Sequence, residues 1–358
     1  MNVWGNKLRL SIFGESHGDA IGVVVDGLPA GELIDRGGVS RDMLRRAPGR
    51  DAVTTARRES DGVEILSGLL GDRTTGFPIC GVIRNSDARS RDYGTKLRPG
   101  HADWTALLKY RGFADMRGGG HFSGRLTAPL VFAGSLAKQI LSRRGVEVFA
   151  RAASVARVSD PAFSGNSSAL GYRAISGRDF PASEEAEEAM RAAIMEAKAA
   201  GDSVGGVVEA AAFGVRGGLG EPFFGSMESS VASLLFSVPA VKGVEFGDGF
   251  RLAAMRGSEA NDAPYMDGDV IKSRTNHNGG ILGGITNGMP LVVRAAIKPT
   301  ASVSIPQETV DASDMSGTTI TVAGRHDPCI VPRAVPVVEA CLALCVLDAL
   351  LSAGGIPA

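Results

Sequence analysis

The chain has 358 residues, 44% of them hydrophobic and 22% charged, and its 38 Lys and Arg against 39 Asp and Glu leave a formal net charge of -1. That length allows one large domain or two ordinary ones around a sizeable core, and the composition is that of a soluble globular protein. A charge so near zero argues against a general binder of nucleic acid or of a membrane surface, because such binders carry a basic excess.

In chain order, strands are expected at residues 7–13, 21–26, 63–68 and 78–84, the second of them a β-branched run ending in Asp26. A helix is expected over 129–144, with Phe132, Leu136, Ile140 and Leu141 on one side and Gly145 at its end. The clearest helix runs over 184–200, where Ser183 suits the N-cap, four glutamates suit the positive end, and Lys198 and Gly201 suit the close. A strand at 204–215, a helix at 228–236 that stops before Pro239, and a strand at 291–298 follow. Residues 336–354 are apolar on nearly every face, yet Glu339, Asp348 and the early proline read as a buried central helix and not a membrane span. Strands and helices alternate too irregularly for a βαβ barrel, so the expected class is an α+β layered domain. An echo between residues 18–25 (GDAIGVVV) and 201–208 (GDSVGGVV) predicts an internal duplication, with related halves at about 1–150 and 190–358 of one domain.

Cys80, Cys329, Cys341 and Cys345 show no CxxC spacing, and the N-terminus has neither a basic nor an apolar signal region, which together predict a reduced, cytoplasmic protein. All five histidines, His17, His101, His121, His277 and His326, stand within two residues of a glycine. Glycine lets backbone turn tightly or approach a ligand, and imidazole moves its proton near neutral pH. Such loops hold something and act on it.

Arg41, Arg45, Arg46, Arg50, Arg57 and Arg58 flank the turn at Pro48-Gly49, a concentration of guanidinium groups suited to phosphates or carboxylates. Arg117-Gly118-Gly119-Gly120-His121, followed by Ser123 and Arg125 ahead of a helix, is a second candidate anion site. Lys298-Pro299-Thr300-Ala301-Ser302 offers a cation and two hydroxyls on stiff backbone, a grip for a phosphate or a polar heterocycle. In Arg325-His326-Asp327 a carboxylate sits beside an imidazole and a guanidinium, as either a base or a turn former. No Walker motif, no GxGxxG between strand and helix and no HExxH is present, and Ser16 and His17 are adjacent on extended chain, which points them to opposite sides and disfavours a serine hydrolase.

Read together, GESHG at 14–18, RRAPG at 45–49, RRES at 57–60, RPGHAD at 98–103, RGGG at 117–120, AVKGVEFGDGF at 240–250, NHNGGILGGI at 276–285, KPTAS at 298–302 and GRHDPC at 324–329 resemble the chorismate synthase family. The resemblance implies a β-α-β sandwich built from duplicated halves, usually a homotetramer. It implies the anti 1,4-elimination of phosphate from 5-enolpyruvylshikimate 3-phosphate to give chorismate, with reduced FMN required although no net oxidation occurs. Some members reduce their own FMN with a nicotinamide, but no separate nicotinamide site is evident here, so an external reductant is expected.

Carried over by position, His17 is similar to the histidine that protonates the departing phosphate, His101 to the one beside the flavin pyrimidine, and Asp327 to the carboxylate that assists proton removal. Ser16, Arg46, Arg125 and Arg333 match substrate contacts. Ser123, Ala240, Gly283, Lys298, Pro299, Thr300, Ala301, Ser302 and Arg325 match flavin contacts, as do positions 121 and 122. His326 is expected to orient Asp327 or Arg325, and His277 to lie near the flavin or at a subunit contact. The chain departs from the family pattern at His121 and Phe122, where arginine and serine are common, at Leu126 for glutamate, at Ala52 for arginine with Arg50 nearby, and at Pro239 for asparagine. Alternative readings are an FMN-dependent oxidoreductase and a catalytically silent binder of FMN or a phosphorylated metabolite.

Overall fold

Two antiparallel five-stranded sheets face each other across a layer of helices in the computed structural model, which describes residues 2–49, 61–85, 94–160, 169–322 and 326–354. The first sheet has the order Val3–Trp4, Arg9–Gly14, Ala20–Asp26, Ile79–Arg84, Glu64–Ile65. The second has the order Val241–Phe246, Leu291–Ile297, Gly206–Phe213, Glu147–Val155, Val158–Ser159. Helices Arg36–Arg46, Thr127–Ser142, Met227–Ser237 and Val331–Ser352 fill the space between them, while Ala169–Ser176 and Glu184–Ala199 lie against strands Glu147–Val155 and Val158–Ser159 of the second sheet. This is the expected α+β sandwich. Each of the two echoing segments leads into the central strand of its sheet, Ala20–Asp26 in one and Gly206–Phe213 in the other.

Small residues let the layers close up. Gly134 meets Ala340 where helices Thr127–Ser142 and Val331–Ser352 cross, and a Cβ on Gly134 would stand 2.2 Å from that of Ala340. The second sheet turns Ala150, Ala152, Ala210 and Ala212 into full burial, and helix Val331–Ser352 packs on these strands. Glu147–Val155 is absent from the expected strands because its alanines and Arg151 carry little intrinsic strand signal; its place between two partners decides its conformation. Conversely, the strand expected at 63–68 shrinks to Glu64–Ile65.

The last helix starts at Val331, five residues before the expected boundary: Pro332 occupies its first turn, where a missing N–H costs nothing, and Pro336 lies inside the helix at the cost of one backbone hydrogen bond. It is long and apolar enough to cross a membrane, but it is mostly buried between the sheets. Its two acids are tied at both ends. Asp348 accepts the backbone N–H groups of Asn6, Lys7 and Leu8 at 3.1, 2.8 and 2.9 Å. Glu339 accepts both terminal nitrogens of Arg45 at 2.7 and 2.9 Å, the N–H of Ala150 at 3.1 Å, and the ammonium of Lys138. One carboxylate thus joins three helices and the second sheet.

Burial pushes the Glu339 carboxyl up, but Arg45 and Lys138 outweigh it and hold it down at about 2. Its contribution to stability is therefore complete above the ordinary carboxyl value of 4.5 and is lost as pH falls toward about 2. Removing one partner of a buried ion pair costs about 3–5 kcal/mol. Glu339→Gln is expected to lower the unfolding free energy at pH 7 by about 3 kcal/mol, read by urea denaturation; a loss below about 1 kcal/mol contradicts the bridging role.

Candidate active site

The chain leaves strand Arg9–Gly14 into Glu15-Ser16-His17-Gly18, a turn in which the Gly18 N–H donates to the Glu15 carbonyl at 3.1 Å. The segment Arg117–Phe122 lies on this turn. Ser16 N–H donates to the Gly120 carbonyl at 3.1 Å, and His121 Nδ1 is 2.8 Å from the Gly14 carbonyl oxygen. Gly118, Gly119 and Gly120 take φ of 58°, 89° and 54°, the left-handed region that favours glycine. Gly118 is also the floor under His17, since a Cβ there would fall 1.8 Å from ring atoms Cε1 and Nδ1. Beside them, Asp115 is held below the usual carboxylate range by its hydrogen bond from Arg117, with His17 adding to the effect. Ser16 is fully buried and its hydroxyl has no hydrogen-bond partner among the described residues. An orphan of that kind costs about 1–3 kcal/mol, as expected where a ligand supplies the partner.

Helix Arg36–Arg46 sorts the arginine-rich run by direction. Arg41 pairs with Asp35 in solvent, Arg45 turns to Glu339, and Arg46 reaches the site; Arg50, Ala52, Arg57 and Arg58 lie outside the described residues. The run is therefore not a single anion pocket. Arg46 is buried and donates through Nε and Nη2 to Asp61 Oδ2 at 2.8 and 2.7 Å. The other Asp61 oxygen accepts from Arg125 Nη1, and Arg125 Nε donates to Asn85 Oδ1 at 3.2 Å. Asn85 in turn donates to the carbonyls of Glu15 and Gly18 at 3.0 and 2.8 Å, so the arginines are fixed relative to His17. Arg333, in the first turn of the last helix, donates through Nε to the Arg46 carbonyl at 3.1 Å and through Nη1 to Asp327. Burial lowers the Arg46 guanidinium to about 10, with Asp61 opposing the shift and Arg333 and Arg125 adding to it, and it stays charged at neutral pH. The three expected substrate arginines thus converge. Asp61 and Asn85 are absent from the sequence expectations; the position of Asp61 just after the RRES run is the one local signal for it.

The other half of the site joins two loops. Arg98 grips Asp103 through Nε and Nη2, both at 2.7 Å, and Gly100 turns with φ 70°. Lys298 Nζ donates to the Gly100 carbonyl at 2.6 Å, and His101 Nε2 is 2.8 Å from Ser302 Oγ. Ala240 takes φ 74° and its carbonyl accepts the Lys298 N–H at 2.9 Å. The Thr300 carbonyl accepts from Ser203, whereas its buried hydroxyl has no partner among the described residues. Burial pushes the His101 imidazole down to about 4; Arg98 adds to this, Asp103 opposes it, and Lys298 and His326 add further. His326 adjoins Asp327, so its charge reaches His101 on one side and its backbone leads to the arginines on the other.

Several expected contacts do not join these groups. Arg325 lies outside the described residues. Phe122 packs edge-on against Tyr110, centroids 6.2 Å apart, and His121 is committed to Gly14. Ser123 caps the Arg125 N–H at 3.3 Å, and Leu126 is buried in the core. Gly283 is the exposed tip of a hairpin whose Gly284 carbonyl accepts the N–H of Met227, at the start of helix Met227–Ser237; Ala240 follows the other end. Eleven helical residues separate those ends by roughly 16 Å. His277 shares that far end, with Nδ1 2.5 Å from Asp248. Among the described residues no three His, Cys, Asp or Glu side chains gather as metal ligands.

Two cationic faces with orphan hydroxyls fit a polyanionic small molecule beside an anionic or polar heterocycle. Gly118→Ala, which displaces the His17 ring, is expected to cut turnover of the reaction implied by the sequence resemblance at least about tenfold, since small misplacements of reacting groups are that costly. Steady-state kinetics beside flavin titration checks this; unchanged turnover removes His17 from the reaction.

The chorismate synthase family model matches residues 8–351. A chorismate synthase of Thermococcus kodakarensis is 48% identical over 352 aligned positions, covering 97% of each chain, and one of Archaeoglobus fulgidus is 48% identical over 360, covering 100% of this chain and 99% of the relative. One of Dehalococcoides mccartyi is 45% identical over 361 positions, covering 99% and 98%. A crystal structure of chorismate synthase superposes with a TM-score of 0.76 at 28% identity, covering 98% of this chain and 93% of that one. On these matches, the chain belongs to the chorismate synthase family.

Proposed function

We propose that this site eliminates phosphate from 5-enolpyruvylshikimate 3-phosphate to form chorismate. The observation that carries the reading is the convergence of Arg46, Arg125 and Arg333 beside the turn that holds His17. A substrate with one phosphate and two carboxylates needs several fixed cations, and guanidinium groups satisfy such oxygens in pairs. His17 protonates the leaving phosphate oxygen, which lowers the barrier to C–O cleavage. Ser16 supplies its orphan hydroxyl to the same oxygens. Asp327, held by Arg333, takes part in removal of the C6 proton.

Reduced FMN is the cofactor of this reading, and when bound it would supply electron density to the allylic system of the substrate. Lys298, Thr300, Ser302 and the backbone at Ala240, Pro299 and Ala301 would hold it; Arg325 lies outside the described residues, and Ser123, Gly283, His121 and Phe122, flavin contacts by the resemblance alone, stand apart from this group. His101 would stand at its pyrimidine, as the resemblance implies. The imidazole is neutral in the ligand-free protein because burial, Arg98 and Lys298 all oppose a proton, and a neighbouring anionic ring reverses that balance. A cytoplasmic homotetramer, two related halves at about 1–150 and 190–358, and reduction of the flavin by a separate donor complete the proposal.

Purified protein given substrate and dithionite-reduced FMN under anaerobic conditions is expected to release phosphate and chorismate in equal amounts. Release of neither contradicts the lyase reading and favours a silent binder. Oxidation of the flavin in step with turnover favours an oxidoreductase.

A further inference from the structure

The three converging arginines raise an electrostatic problem that the substrate alone does not solve. Guanidinium groups buried side by side repel, and burying an uncompensated charge costs several kcal/mol. Before any ligand arrives carboxylates must offset much of this charge, and among the described residues two of them face the three arginines. Arg333 has Asp327, and Arg46 and Arg125 share Asp61.

Asp61 is well suited to more than balance. Its side chain is 2% exposed, and its two oxygens take different arginines. Oδ2 receives Nε and Nη2 of Arg46, one whole edge of that guanidinium. The remaining Arg46 nitrogen, Nη1, has only long contacts, 3.5 Å to the Gly124 carbonyl and 3.4 Å to Thr127 Oγ1. Oδ1 receives Nη1 of Arg125, whose Nε is turned to Asn85. The carboxylate therefore fixes the planes of two guanidinium groups relative to each other, while Asn85 fixes them relative to the His17 turn. Fixed donors cost no reorganisation when an anion binds.

We propose that Asp61 is a positioning residue for substrate, holding Arg46 and Arg125 in one geometry that receives an anionic group of the substrate beside His17. This rests on the lyase reading above. It assigns to an acidic residue, which substrate oxygens repel, a positive contribution to their binding.

The test compares wild type, Asp61→Asn and Asp61→Glu by calorimetric titration with substrate and, separately, with FMN, alongside kcat and KM. The wild type serves as the control for the lyase reading: if it neither binds nor converts substrate, that reading fails irrespective of Asp61. With an active wild type, Asp61→Asn is expected to lose at least about tenfold in substrate affinity while FMN affinity stays within twofold, a split that general loss of folded protein does not produce. Asp61→Glu keeps the charge but shifts the carboxylate by one methylene, and is expected to recover stability with only part of the substrate affinity. Substrate affinity within twofold of wild type in Asp61→Asn overturns the proposal. If Asp61→Asn does not fold, full substrate affinity in Asp61→Glu overturns it, because charge balance alone would then suffice.

Discussion

Arg46, Arg125 and Asp61 form an ion cluster away from solvent, and much of the molecule can be understood as the frame that cluster requires. Arg46 ends one helix, Arg125 precedes another, Asp61 leads into an edge strand of the first sheet, and Arg333 opens the last helix against the Arg46 carbonyl. Four segments distant in sequence must be held to within hydrogen-bond tolerance of one another. Buried ions tolerate poor geometry badly, since each loses its hydration and recovers it only from well-placed partners. A rigid interlayer of helices meets that demand.

The second buried network supplies the rigidity. Arg45, adjacent to Arg46, is anchored on Glu339, which also binds Lys138 and the backbone of Ala150 in the second sheet. Neighbouring arginines on one helix thus have complementary roles, since Arg45 fastens the helix to the core and Arg46 presents its charge to the site. Charge near zero overall and dense arginine locally are compatible because inward-facing guanidinium groups are set against carboxylates, Arg45 on Glu339, Arg333 on Asp327, and Arg46 and Arg125 together on Asp61.

Much of this is legible in the sequence. Strands Arg9–Gly14, Ala20–Asp26, Ile79–Arg84 and Gly206–Phe213 stand where strands are expected, the second and fourth on β-branched runs, and helix Glu184–Ala199 follows its Ser183 cap and its charge gradient. His101 with Ser302, and Arg46 with Arg125 and Arg333, are expected to act together, and the fold brings each set together. What stays hidden depends on long-range pairing. Little local distinguishes Arg45 from Arg46: Arg45 touches Asp42 at 3.3 Å on its own helix, but the carboxylates that set their directions lie 294 and 15 residues away. Asp61 looks like any turn acid until Arg125 arrives from 64 residues downstream. Gly118 is one glycine among 48, and only the position of the His17 ring makes it particular.

The central claim is that the buried arginines recognise substrate while the His101 and Lys298 loops recognise flavin, two functions on two faces. Calorimetric titration of Arg46→Ala with each ligand tests this most directly. Loss of a charge-assisted hydrogen bond is worth about 1.5–3 kcal/mol, so the account predicts substrate affinity weakened at least about tenfold with FMN affinity unchanged. Equal weakening of both ligands, or of FMN alone, contradicts it.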